Sequence, residues 1–473
     1  MTTQVGTPNQ PLRVAIIGSG PSGFYAAEHL QKQQNLTIEI DMFDRLPTPY
    51  GLVRGGVAPD HAKIKSVTKV YDKIAANPNF RFYGNVEIGK DISHAELIDR
   101  YHMIIYAVGA QTDKRLDVPG EDLSGSHAAT EFVAWYNGHP DYRDSQFDLT
   151  QEAAAVIGVG NVAMDVCRIL ARSYNELYQT DIADYALEAL KNSNVKTIYV
   201  LGRRGPAQAA YTNTEIKELG EMEDAVIVVS ADEAQLDPLS QEALDAANDR
   251  AMVRNVEIVK GYTQNQAGSK KRTIVMRFLV SPVEIIGKDK VEAIKIVKNK
   301  LVQKSDGSLR PVATEETEVI PVGLVFRSVG YRGVPVEGVP FREDWGTIPN
   351  EEGRIVHLET KEQVVGEYVV GWIKRGPSGI IGTNKPDSQA TVNELLEDVA
   401  AGKTLNPAHP SRAELESVLE ARQIAYVTYA DWQLLDQLEQ ERGAAIGRPR
   451  LKFTSIPAML EALAERKKSA EPQ

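Results

Sequence analysis

The hydrophobic pattern of the chain opens with a short, mostly apolar run, LRVAIIG at 12–18, that ends in glycine. Such a run, rich in branched residues, predicts a buried strand. A helical pattern follows in PSGFYAAEHLQKQ, and TIEIDMFD at 37–44 predicts the next strand. The same order recurs in AAAVIGVG at 153–160, NVAMDVCRILARSY and VKTIYVLGRRG at 195–205. Two copies of one strand-helix-strand unit predict an α/β protein with two Rossmann-like dinucleotide-binding domains.

The rest of the chain predicts further strands and then helices. Buried strands ending in glycine are expected in MIIYAVGA at 103–110, GLVFRSVGYRG at 323–333 and EYVVGW at 367–372. The first two look alike, and each lies where the chain can cross between domains. Residues 225–320 predict additional strands and loops, and the pattern is helical from about 387. The final RKKSAEPQ is expected to be disordered.

Composition narrows the class of protein. A chain of 473 residues exceeds one ordinary core, and its net charge of −12 argues against nonspecific nucleic-acid binding. No segment reaches the roughly 18 apolar residues of a membrane helix, so a cytoplasmic protein without membrane association is expected. Cys167 is the only cysteine. It cannot supply the paired thiols of a disulfide reductase or a four-thiolate iron-sulfur site, and we expect it to be a small buried apolar group.

The first glycine motif, GSGPSG, places Gly18, Gly20 and Gly23 directly after a strand and at the start of a helix. This spacing permits a tight turn, close approach of a pyrophosphate and close packing of helix on strand. Asp44 ends the next strand, where an acidic side chain accepts hydrogen bonds from a ribose. The motif predicts dinucleotide binding; the alternative is a glycine turn that only packs helix on strand.

The second motif, GVGNVA, places Gly158, Gly160 and Ala163 in a related spacing, but the next strand ends in Arg203 and Arg204. Two guanidinium groups can bind the 2'-phosphate of NADP, which a carboxylate would repel. The alternative is that one arginine pairs with a surface carboxylate. One site with an acid and one with arginines suggest FAD in the first and NADPH in the second, with hydride passing from nicotinamide to flavin. Without a cysteine pair, a one-electron acceptor is the natural outlet.

A series of longer segments stands in one order over nearly the whole chain. They are GSGPSGFYAAEHL, DRLPTPYGLVRGGVAPDHAKIKSV, RFYGNVEIGKD, GVGNVAMDVCRILA, TDIADYALEAL, GRRGPAQAAYTNTEIKEL, SPVEI, RSVGYRGVPVEGVPF, GTIPNEEGRI and EYVVGWIKRGPSGIIGTNKPDS. In this order they resemble the adrenodoxin reductase-like ferredoxin-NADP reductases, including the bacterial members. The resemblance implies an FAD-binding domain formed by residues 1–112 and 335–473, with an NADP-binding domain, 113–334, inserted into it.

The same resemblance implies the residues that contact each cofactor. For FAD they are Ser22, Asp44, Leu52, Val86, Trp372, Gly379, Ile380 and Ile381, in addition to Gly18, Gly20 and Gly23 of the first glycine motif. For NADP they are Val159, Gly160, Asn161, Val162, Arg203, Arg204, Glu215 and again Gly379. The chain departs from the family's usual residues at three positions: Asp44 stands for Glu, Ser22 for Ala, and Val159 for Gln or Asn. The last change leaves only a backbone contact at that position.

Two further residues look like active-site groups of this family. His61 would lie near the flavin or in the path of the acceptor, and Glu218 near the nicotinamide. The alternatives are a first-turn helix residue after an Asp60 cap for His61 and an exposed helical carboxylate for Glu218. Lys374 and Arg375, in the loop at 371–384, would face the acceptor or neighbour the phosphates. His102 and His127 show no metal-ligand spacing, and no metal is expected.

The leading hypothesis is an FAD enzyme that oxidises NADPH and reduces a ferredoxin-type iron-sulfur protein one electron at a time, reversibly in principle. Because ferredoxins are acidic, this acidic chain should present a local basic face, whose position the sequence does not give. A monomer is expected. Two alternatives stay open: an FAD-dependent monooxygenase or quinone reductase, and a redox-inactive nucleotide-sensing or scaffold protein.

Overall fold

A computed structural model describes residues 5–470, without the side chains of residues 469 and 470, and the chain forms two compact units. Within the described residues, unit 1 comprises 5–57, 61–112 and 330–470, and unit 2 comprises 58–60 and 113–329. The sequence placed the second boundary five residues later, after residue 334. The chain joins unit 1 earlier because the amide of Gln111 donates to the Arg332 carbonyl and that of Gly333 to the Gly346 carbonyl.

Unit 1 is built on a seven-stranded sheet. Its order across the sheet is Asn350–Glu351, Arg354–Val356, Gln363–Val369, Met103–Tyr106, Leu12–Ile17, Ile38–Asp44 and Phe80–Gly84. The last five of these strands are parallel, and the first two are antiparallel. Gln363–Val369 comes from the part of the chain after unit 2 and pairs in parallel with Met103–Tyr106, from the part before it.

Helices cover both faces of this sheet. Val14 and Ile16 belong to one buried apolar cluster, and Ala15 and Ile17 to another. Because successive residues of a strand point to opposite faces, this alternation shows that neither face meets water. The helices of unit 1 are Pro21–Gln31, Leu52–Gly55, Ala62–Lys65, Thr68–Ala75, His94–Ile98, Trp372–Arg375, Asn384–Ala400, Arg412–Ala421, Tyr429–Ala444 and Ile456–Ala470, with a 3-10 turn at Ile381–Thr383. Short strands at Thr112–Asp113 and Tyr331–Arg332 mark the chain's passage between units.

Unit 2 contains a six-stranded parallel sheet. Its order is Ser126–Ala128, Leu324–Arg327, Ala153–Ile157, Thr197–Gly202, Arg272–Phe278 and Ala225–Val229. Ala154 and Val156 lie in one apolar cluster and Ala155 and Ile157 in another, so this sheet is also buried on both faces. Cys167 is fully buried in the first cluster, as its sequence context predicts.

A three-stranded antiparallel sheet, Val280–Ile286, Ala293–Gln303 and Leu309–Pro321, completes unit 2. The helices are Ala129–Tyr136, Asn161–Ala171, Tyr174–Tyr178, Asp184–Lys191, Asn213–Gly220, Ala231–Ala234, Pro238–Ala247 and Arg250–Gly261, with 3-10 turns at Pro140–Tyr142, Pro206–Gln208 and Tyr262–Gln264. The expectation of only strands and loops between 225 and 320 is therefore wrong for residues 231–261. Asp237 and Asp249 cap two of these helices through their carboxylates, a signal that the sequence analysis overlooked.

The predicted disorder of RKKSAEPQ is wrong for its first half. The helix Ile456–Ala470 continues through residues 466–470, and Lys467 pairs with Asp431 at 2.7 Å. Residues 471–473 lie outside the described part of the chain. Among the described residues, no helix combines the length and the apolar composition that crossing a membrane requires.

Candidate functional site

The first glycine loop, residues 18–23, joins the strand Leu12–Ile17 to the helix Pro21–Gln31 in unit 1. Gly18 has φ 105°, and a β-carbon there would lie 2.5 Å from the Ala107 carbonyl oxygen. A β-carbon at Gly23 would lie 2.3 Å from the Gly18 carbonyl oxygen. At Gly20, by contrast, no atom of the described residues lies within 4 Å of the added carbon. The loop is closed towards the protein and open at Gly20, where a pyrophosphate fits beside the helix N-terminus.

Asp44 ends the neighbouring strand and faces this loop. Its carboxylate accepts hydrogen bonds from the amide and hydroxyl of Ser19, at 3.1 and 2.5 Å, and from the Leu46 amide at 2.9 Å. Burial raises the pKa of Asp44, and these hydrogen bonds oppose the shift. The carboxylate is fixed in place by the backbone and retains acceptor capacity for a ribose hydroxyl.

A tight turn at Tyr50 and Gly51 lies against the same loop, and the sequence analysis missed it. The Tyr50 amide donates to the Ser19 carbonyl at 3.0 Å, and a β-carbon at Gly51 would lie 3.0 Å from the Gly20 α-carbon. Tyr50 has φ 86°, an unusual conformation for a bulky residue. Its hydroxyl contacts the Asp72 carboxylate and the Tyr429 hydroxyl, each at 2.7 Å, and accepts from the Trp432 indole at 3.2 Å.

Three other residues predicted for FAD lie near the first glycine loop. Leu52 begins the helix after the turn and is 36% exposed. Val86 is buried, and its amide donates to the Asp44 carbonyl at 2.9 Å. Ser22 is also buried, and its carbonyl accepts from the Ser388 hydroxyl at 2.9 Å. Leu52 can therefore meet a ligand through its side chain, whereas Val86 offers mainly its backbone.

The returning loop, residues 371–384, begins at the same edge of the sheet as the first glycine loop. The parallel strands Gln363–Val369 and Leu12–Ile17 both end there, one on each side of Met103–Tyr106. Gly371 has φ 77°, and a β-carbon there would lie 2.6 Å from the Ser22 hydroxyl. The two loops thus touch at the carboxyl ends of parallel strands, which is where open α/β sheets bind their ligands.

Within the returning loop, Trp372 and residues 379–381 differ in exposure. The Trp372 indole donates to the Ser378 carbonyl at 3.1 Å, and its ring lies 5.2 Å from that of Tyr331. Gly379 is exposed with φ 81°, Ile380 is 60% exposed, and Ile381 packs partly into the core. A β-carbon at Gly379 would lie 2.6 Å from the Thr383 hydroxyl. Glycine is therefore required here by the loop itself, whatever ligand passes over it.

Lys374 and Arg375 do not face outward, which corrects the interpretation that they face the acceptor; that they neighbour the phosphates stays a prediction. The Lys374 ammonium donates to the Thr391 hydroxyl at 2.9 Å and pairs with the Asp387 carboxylate at 3.1 Å. Arg375 donates to the Ser378 carbonyl at 2.5 Å and to the Asn384 side chain at 2.8 Å. Both cations hold the loop onto the helix Asn384–Ala400. Their side chains are only 13% and 20% exposed.

The second glycine loop, residues 158–163, lies in unit 2 and follows the strand Ala153–Ile157. Gly158 has φ 129°, and a β-carbon there would lie 2.2 Å from the Ser328 carbonyl oxygen. Gly160 is as open as Gly20, with no atom of the described chain within 4 Å of an added carbon. Asn161 accepts from the Thr212 amide at 2.9 Å, and the Val159 carbonyl from the Ala210 amide at 2.9 Å.

Val159 and Val162 flank the open position at Gly160. A β-carbon added at Gly202 would lie only 2.9 Å from the Val159 side chain. Val159 therefore packs against Gly202 on the next strand. Val162 packs partly against the apolar core of unit 2. Backbone rather than side chain is therefore what these two residues offer a ligand, as expected for Val159 from its departure from the family pattern.

Arg203 and Arg204 follow the strand Thr197–Gly202, and a third arginine accompanies them. Burial and then the positive charges of Arg203 and Arg310 lower the pKa of Arg204. Within residues 5–470, no carboxylate lies within 4.0 Å of any of these three guanidinium groups. The alternative that one arginine pairs with a surface carboxylate is therefore wrong. Three like charges with no carboxylate partner among residues 5–470 could bind a phosphate.

Asn299 holds the arginine turn to the three-stranded sheet, and neither it nor Arg310 was identified from the sequence. The buried Asn299 amide group donates to the Arg203 carbonyl at 2.9 Å and to the Ser281 hydroxyl at 2.8 Å. The Leu279 amide donates to the Arg204 carbonyl at 3.2 Å. Arg310 lies far along the chain, at the start of Leu309–Pro321, so no local motif could reveal its position.

Glu215 and Glu218 lie beside a fully buried arginine of unit 2. Arg168 donates to the Glu215 carboxylate at 2.8 Å, and its guanidinium nitrogen lies 3.7 Å from the Glu218 carboxylate. Glu215 is 6% exposed, and Glu218 is partly buried. Asp165 and Asp60 also bind Arg168, the latter at 2.6 Å. Glu218 is thus not the freely exposed carboxylate of the alternative interpretation.

His61 follows Asp60 directly and is itself the N-cap residue of the helix Ala62–Lys65. The N-cap position is therefore that of His61 and not that of Asp60, whose carboxylate pairs with Arg168 and with Arg172, the latter at 2.8 Å. The alternative in which Asp60 caps the helix is wrong. The flavin-side role of His61, like the cofactor roles of the other residues, stays a prediction.

Comparison with known proteins gives a consistent result. Residues 12–276 match the model of the pyridine nucleotide-disulphide oxidoreductase family. NADPH-ferredoxin reductase FprA of Mycobacterium tuberculosis is 46% identical over 461 residues, which cover 95% of this chain and 99% of the relative. The mitochondrial NADPH:adrenodoxin oxidoreductase of Arabidopsis thaliana is 38% identical over 96% of both chains. The solved structure of M. tuberculosis FprA in complex with NADPH superposes with a TM-score of 0.90 at 45% identity, covering 96% of this chain and all of that one.

Proposed function

The chain belongs to the pyridine nucleotide-disulphide oxidoreductase family, in its ferredoxin-NADP reductase branch, and from this membership we propose that it is an FAD-dependent ferredoxin-NADP reductase. NADPH gives up a hydride, two ferredoxin-type proteins each take one electron, and one proton is released. The net reaction is reversible in principle. The observation that carries the proposal is the contrast between the two open glycine loops. One lies beside a carboxylate, and the other beside three arginines that have no carboxylate partner in the described part of the chain.

The first glycine loop has the shape and chemistry that FAD requires. The open position at Gly20 leaves room for the pyrophosphate, and Asp44 is held by Ser19 and Leu46 to accept from a ribose hydroxyl. Ser22, Leu52, Val86, Trp372 and residues 379–381 would border the remainder of the cofactor. When bound, the flavin supplies the ability to take two electrons together and release them singly.

The second loop has the chemistry that NADPH requires. The open backbone at Gly160 would receive the pyrophosphate, with Val159, Asn161 and Val162 around it. Arg203, Arg204 and Arg310 would bind the 2'-phosphate, which relieves the repulsion among their charges. Glu215, oriented by Arg168, would accept a hydrogen bond from the nucleotide, and Glu218 would lie on the nicotinamide side.

The cysteine content decides where the electrons leave. An enzyme that reduces a disulfide through its own cysteines needs two thiols, but this chain has only Cys167. Its thiol is fully buried, and burial raises its pKa far above the ordinary range, so it is neither exposed nor ionised. The electrons therefore leave to an external acceptor, which we propose is an acidic ferredoxin. We also propose that the enzyme is cytoplasmic, since NADPH and ferredoxins are available in the cytoplasm. We further propose that it is a monomer.

The decisive experiment is spectroscopic and kinetic. The purified protein should show the absorption bands of an oxidised flavin, and NADPH should bleach them anaerobically much faster than NADH. Reduced enzyme should then pass electrons to cytochrome c only when ferredoxin is present. A colourless protein would contradict the proposal and favour a nucleotide-sensing role; rapid oxygen consumption without ferredoxin would favour a monooxygenase or quinone reductase.

A further inference from the structure

The helical segment 62–73 of unit 1 carries a basic face on an otherwise acidic chain. The segment AKIKSVTKVYDK contains four lysines and one aspartate, whereas the chain as a whole has a net charge of −12. The aspartate, Asp72, is turned inward, where it accepts hydrogen bonds from the hydroxyls of Tyr50 and Tyr429 at 2.7 and 2.6 Å. The outward surface of the segment is therefore cationic.

Three of these lysines, Lys63, Lys69 and Lys73, are exposed. In the part of the chain that the structure describes, no carboxylate oxygen lies within 4.0 Å of their ammonium groups. Two other exposed lysines of unit 1 do have a carboxylate partner: Lys32 and Lys385 both contact Glu28, at 2.7 and 3.0 Å. We call Lys63, Lys69 and Lys73, with the exposed Ile64 and Val70 between them, the lysine face.

The helix that carries most of the lysine face packs firmly on the core of unit 1. The inner side of Thr68–Ala75 buries Tyr71 and Ile74, and the Tyr71 ring stacks on Phe24 with centroids 4.7 Å apart. Phe24 belongs to the helix that starts at the first glycine loop, and the helix Leu52–Gly55 contacts Ala62–Lys65. The face therefore borders the elements that hold the candidate FAD site. An electron acceptor bound there would dock close to that site.

Ile64 and Val70 are 45% and 39% exposed between the charges. Exposed ammonium groups attract an oppositely charged protein to this surface and so speed its association. A few exposed aliphatic side chains provide the apolar centre of a transient interface, from which water is excluded. A nucleic acid or an anionic membrane would be repelled by the remaining surface of this acidic chain. An acidic protein that presents a small carboxylate patch meets the lysine face without approaching much of that surface.

We infer that the lysine face is the docking surface for the acidic iron-sulfur acceptor. This inference rests on the proposed function, because it assigns the place where the partner of that reaction binds. It predicts that the lysines act on association with the protein acceptor and leave the reaction with NADPH alone.

The test uses the FAD-loaded full chain and the triple variant K63E/K69E/K73E. Two acidic ferredoxins, a plant-type [2Fe–2S] and a bacterial-type [4Fe–4S] protein, serve as acceptors, and menadione serves as a small neutral one. Charge reversal should raise the KM for ferredoxin at least about tenfold at low ionic strength and flatten its salt dependence. Menadione reduction should stay within about twofold of the wild type, since no field acts on a neutral acceptor.

A matched control separates the face from net charge. The exposed lysines Lys260, Lys300 and Lys304 of unit 2 give the variant K260E/K300E/K304E, with the same change in charge. If this control raises the KM as much as the first variant, the effect is one of overall charge and the inference is overturned. An unchanged KM in K63E/K69E/K73E overturns it as well, and anionic vesicles that bind wild type but not this variant would then identify a membrane as the partner.

A second measurement needs no variant. Carbodiimide couples an ammonium group to a carboxylate in direct contact, so cross-linking wild type to each ferredoxin should yield peptides joined at Lys63, Lys69 or Lys73. Cross-links confined to other lysines overturn the docking surface while the proposed function stands. A wild-type enzyme that reduces menadione with NADPH but neither ferredoxin overturns the proposed function and this inference together.

Discussion

Two nearly identical tetrapeptides of this chain show how much a basic residue depends on its contacts. RRGP at 203–206 directly follows the strand Thr197–Gly202, and KRGP at 374–377 starts within the short helix Trp372–Arg375 that follows the strand Gln363–Val369. Lys374 and Arg375 are bound by Asp387, Asn384 and Thr391 and serve the loop itself. Arg203 and Arg204 have no such side-chain partners among the described residues, so their charge remains available to a ligand.

The first residue-level prediction concerns the unpaired arginines. Removing a charge-assisted hydrogen bond to a phosphate costs about 1.5–3 kcal/mol, which corresponds to a loss of roughly ten- to a hundredfold in affinity. Arg203→Ala and Arg204→Ala should therefore raise the KM for NADPH by that range and leave the KM for NADH unchanged, with menadione as acceptor. Arg310→Gln should raise the KM for NADPH by a smaller factor, because its charge supports the same phosphate.

The matched control is Arg254→Ala, whose guanidinium is exposed and paired with Glu257 at 3.0 Å. Its KM for NADPH should equal that of the wild type. Equal losses for NADPH and NADH in Arg203→Ala would show that the arginine turn does not read the 2'-phosphate.

The second prediction separates crowding from backbone strain in the returning loop. Gly376 and Gly379 both have φ 81°, so alanine at either position costs about 1–2 kcal/mol in the backbone. Only at Gly379 does the added carbon collide, at 2.6 Å, with Thr383. Gly379→Ala should slow flavin reduction by NADPH about tenfold in stopped-flow traces, and Gly376→Ala much less. Similar rates for the two variants would mean that the segment at 379–381 does not border the reacting groups.

At the scale of elements, the turn at Tyr50 and Gly51 connects the first glycine loop to the helix Tyr429–Ala444. The Tyr50 hydroxyl links Asp72, Tyr429 and Trp432, and Arg54 forms a bidentate pair with the buried Glu439 at 2.9 and 2.5 Å. A residue held at positive φ persists only where its surroundings determine it. The helix therefore fixes the loop that would border the FAD pyrophosphate.

Tyr50→Phe tests this connection by removing only the hydroxyl. Loss of its hydrogen bonds leaves buried polar partners unsatisfied and should lower the free energy of unfolding by about 1–3 kcal/mol. FAD should also dissociate faster, as measured by the release of flavin fluorescence on dilution. Tyr185→Phe, whose hydroxyl donates only to the Trp135 carbonyl at 2.7 Å in unit 2, is the control. It should lower stability by a similar or smaller amount without changing FAD release.

A second element-level prediction concerns acid stability. His102 is 5% exposed, and its Nδ1 accepts from the Arg13 amide at 3.0 Å, so the ring is neutral in the fold. Burial and then the Arg13 charge lower the pKa of His102 from 6.5 to about 4. Between these values the unfolded chain binds more protons than the folded one. Stability conferred by the neutral ring is complete above pH 6.5 and is lost as the pH falls towards 4.

His102→Asn keeps an acceptor for the Arg13 amide and removes the titration. The loss of unfolding free energy between pH 7 and pH 5 should shrink by about 2 kcal/mol relative to the wild type. Denaturant titrations at the two pH values measure it. Parallel pH profiles for the two proteins would show that His102 is protonated as readily in the fold as in the unfolded chain.

For the whole molecule, the features that could be predicted from the sequence are those that depend on patterns among residues close together in the chain. The two strand-helix-strand units, Asp44 and the pair Arg203 and Arg204 are all visible as runs and spacings within about 50 residues. Arg310 and Asn299 are not, because they reach the arginine turn through a sheet formed a hundred residues later. That the side chains of Lys374 and Arg375 point inward could not be predicted from the sequence either, because it depends on Asp387 and Thr391 lying on the facing side of a helix.

Unit 1 is assembled from segments on both sides of unit 2, and this has a consequence for biosynthesis. Every residue of unit 2 precedes residue 330, whereas Met103–Tyr106 finds its neighbour Gln363–Val369 only later. At about 5–20 residues per second, a ribosome needs roughly 13–50 s to make the residues between these two strands. During this interval Met103–Tyr106 has only Leu12–Ile17 as its neighbour, and its other edge is open, a target for aggregation or for a chaperone. The insertion thus makes the flavin-side half of the enzyme the last part of it to fold.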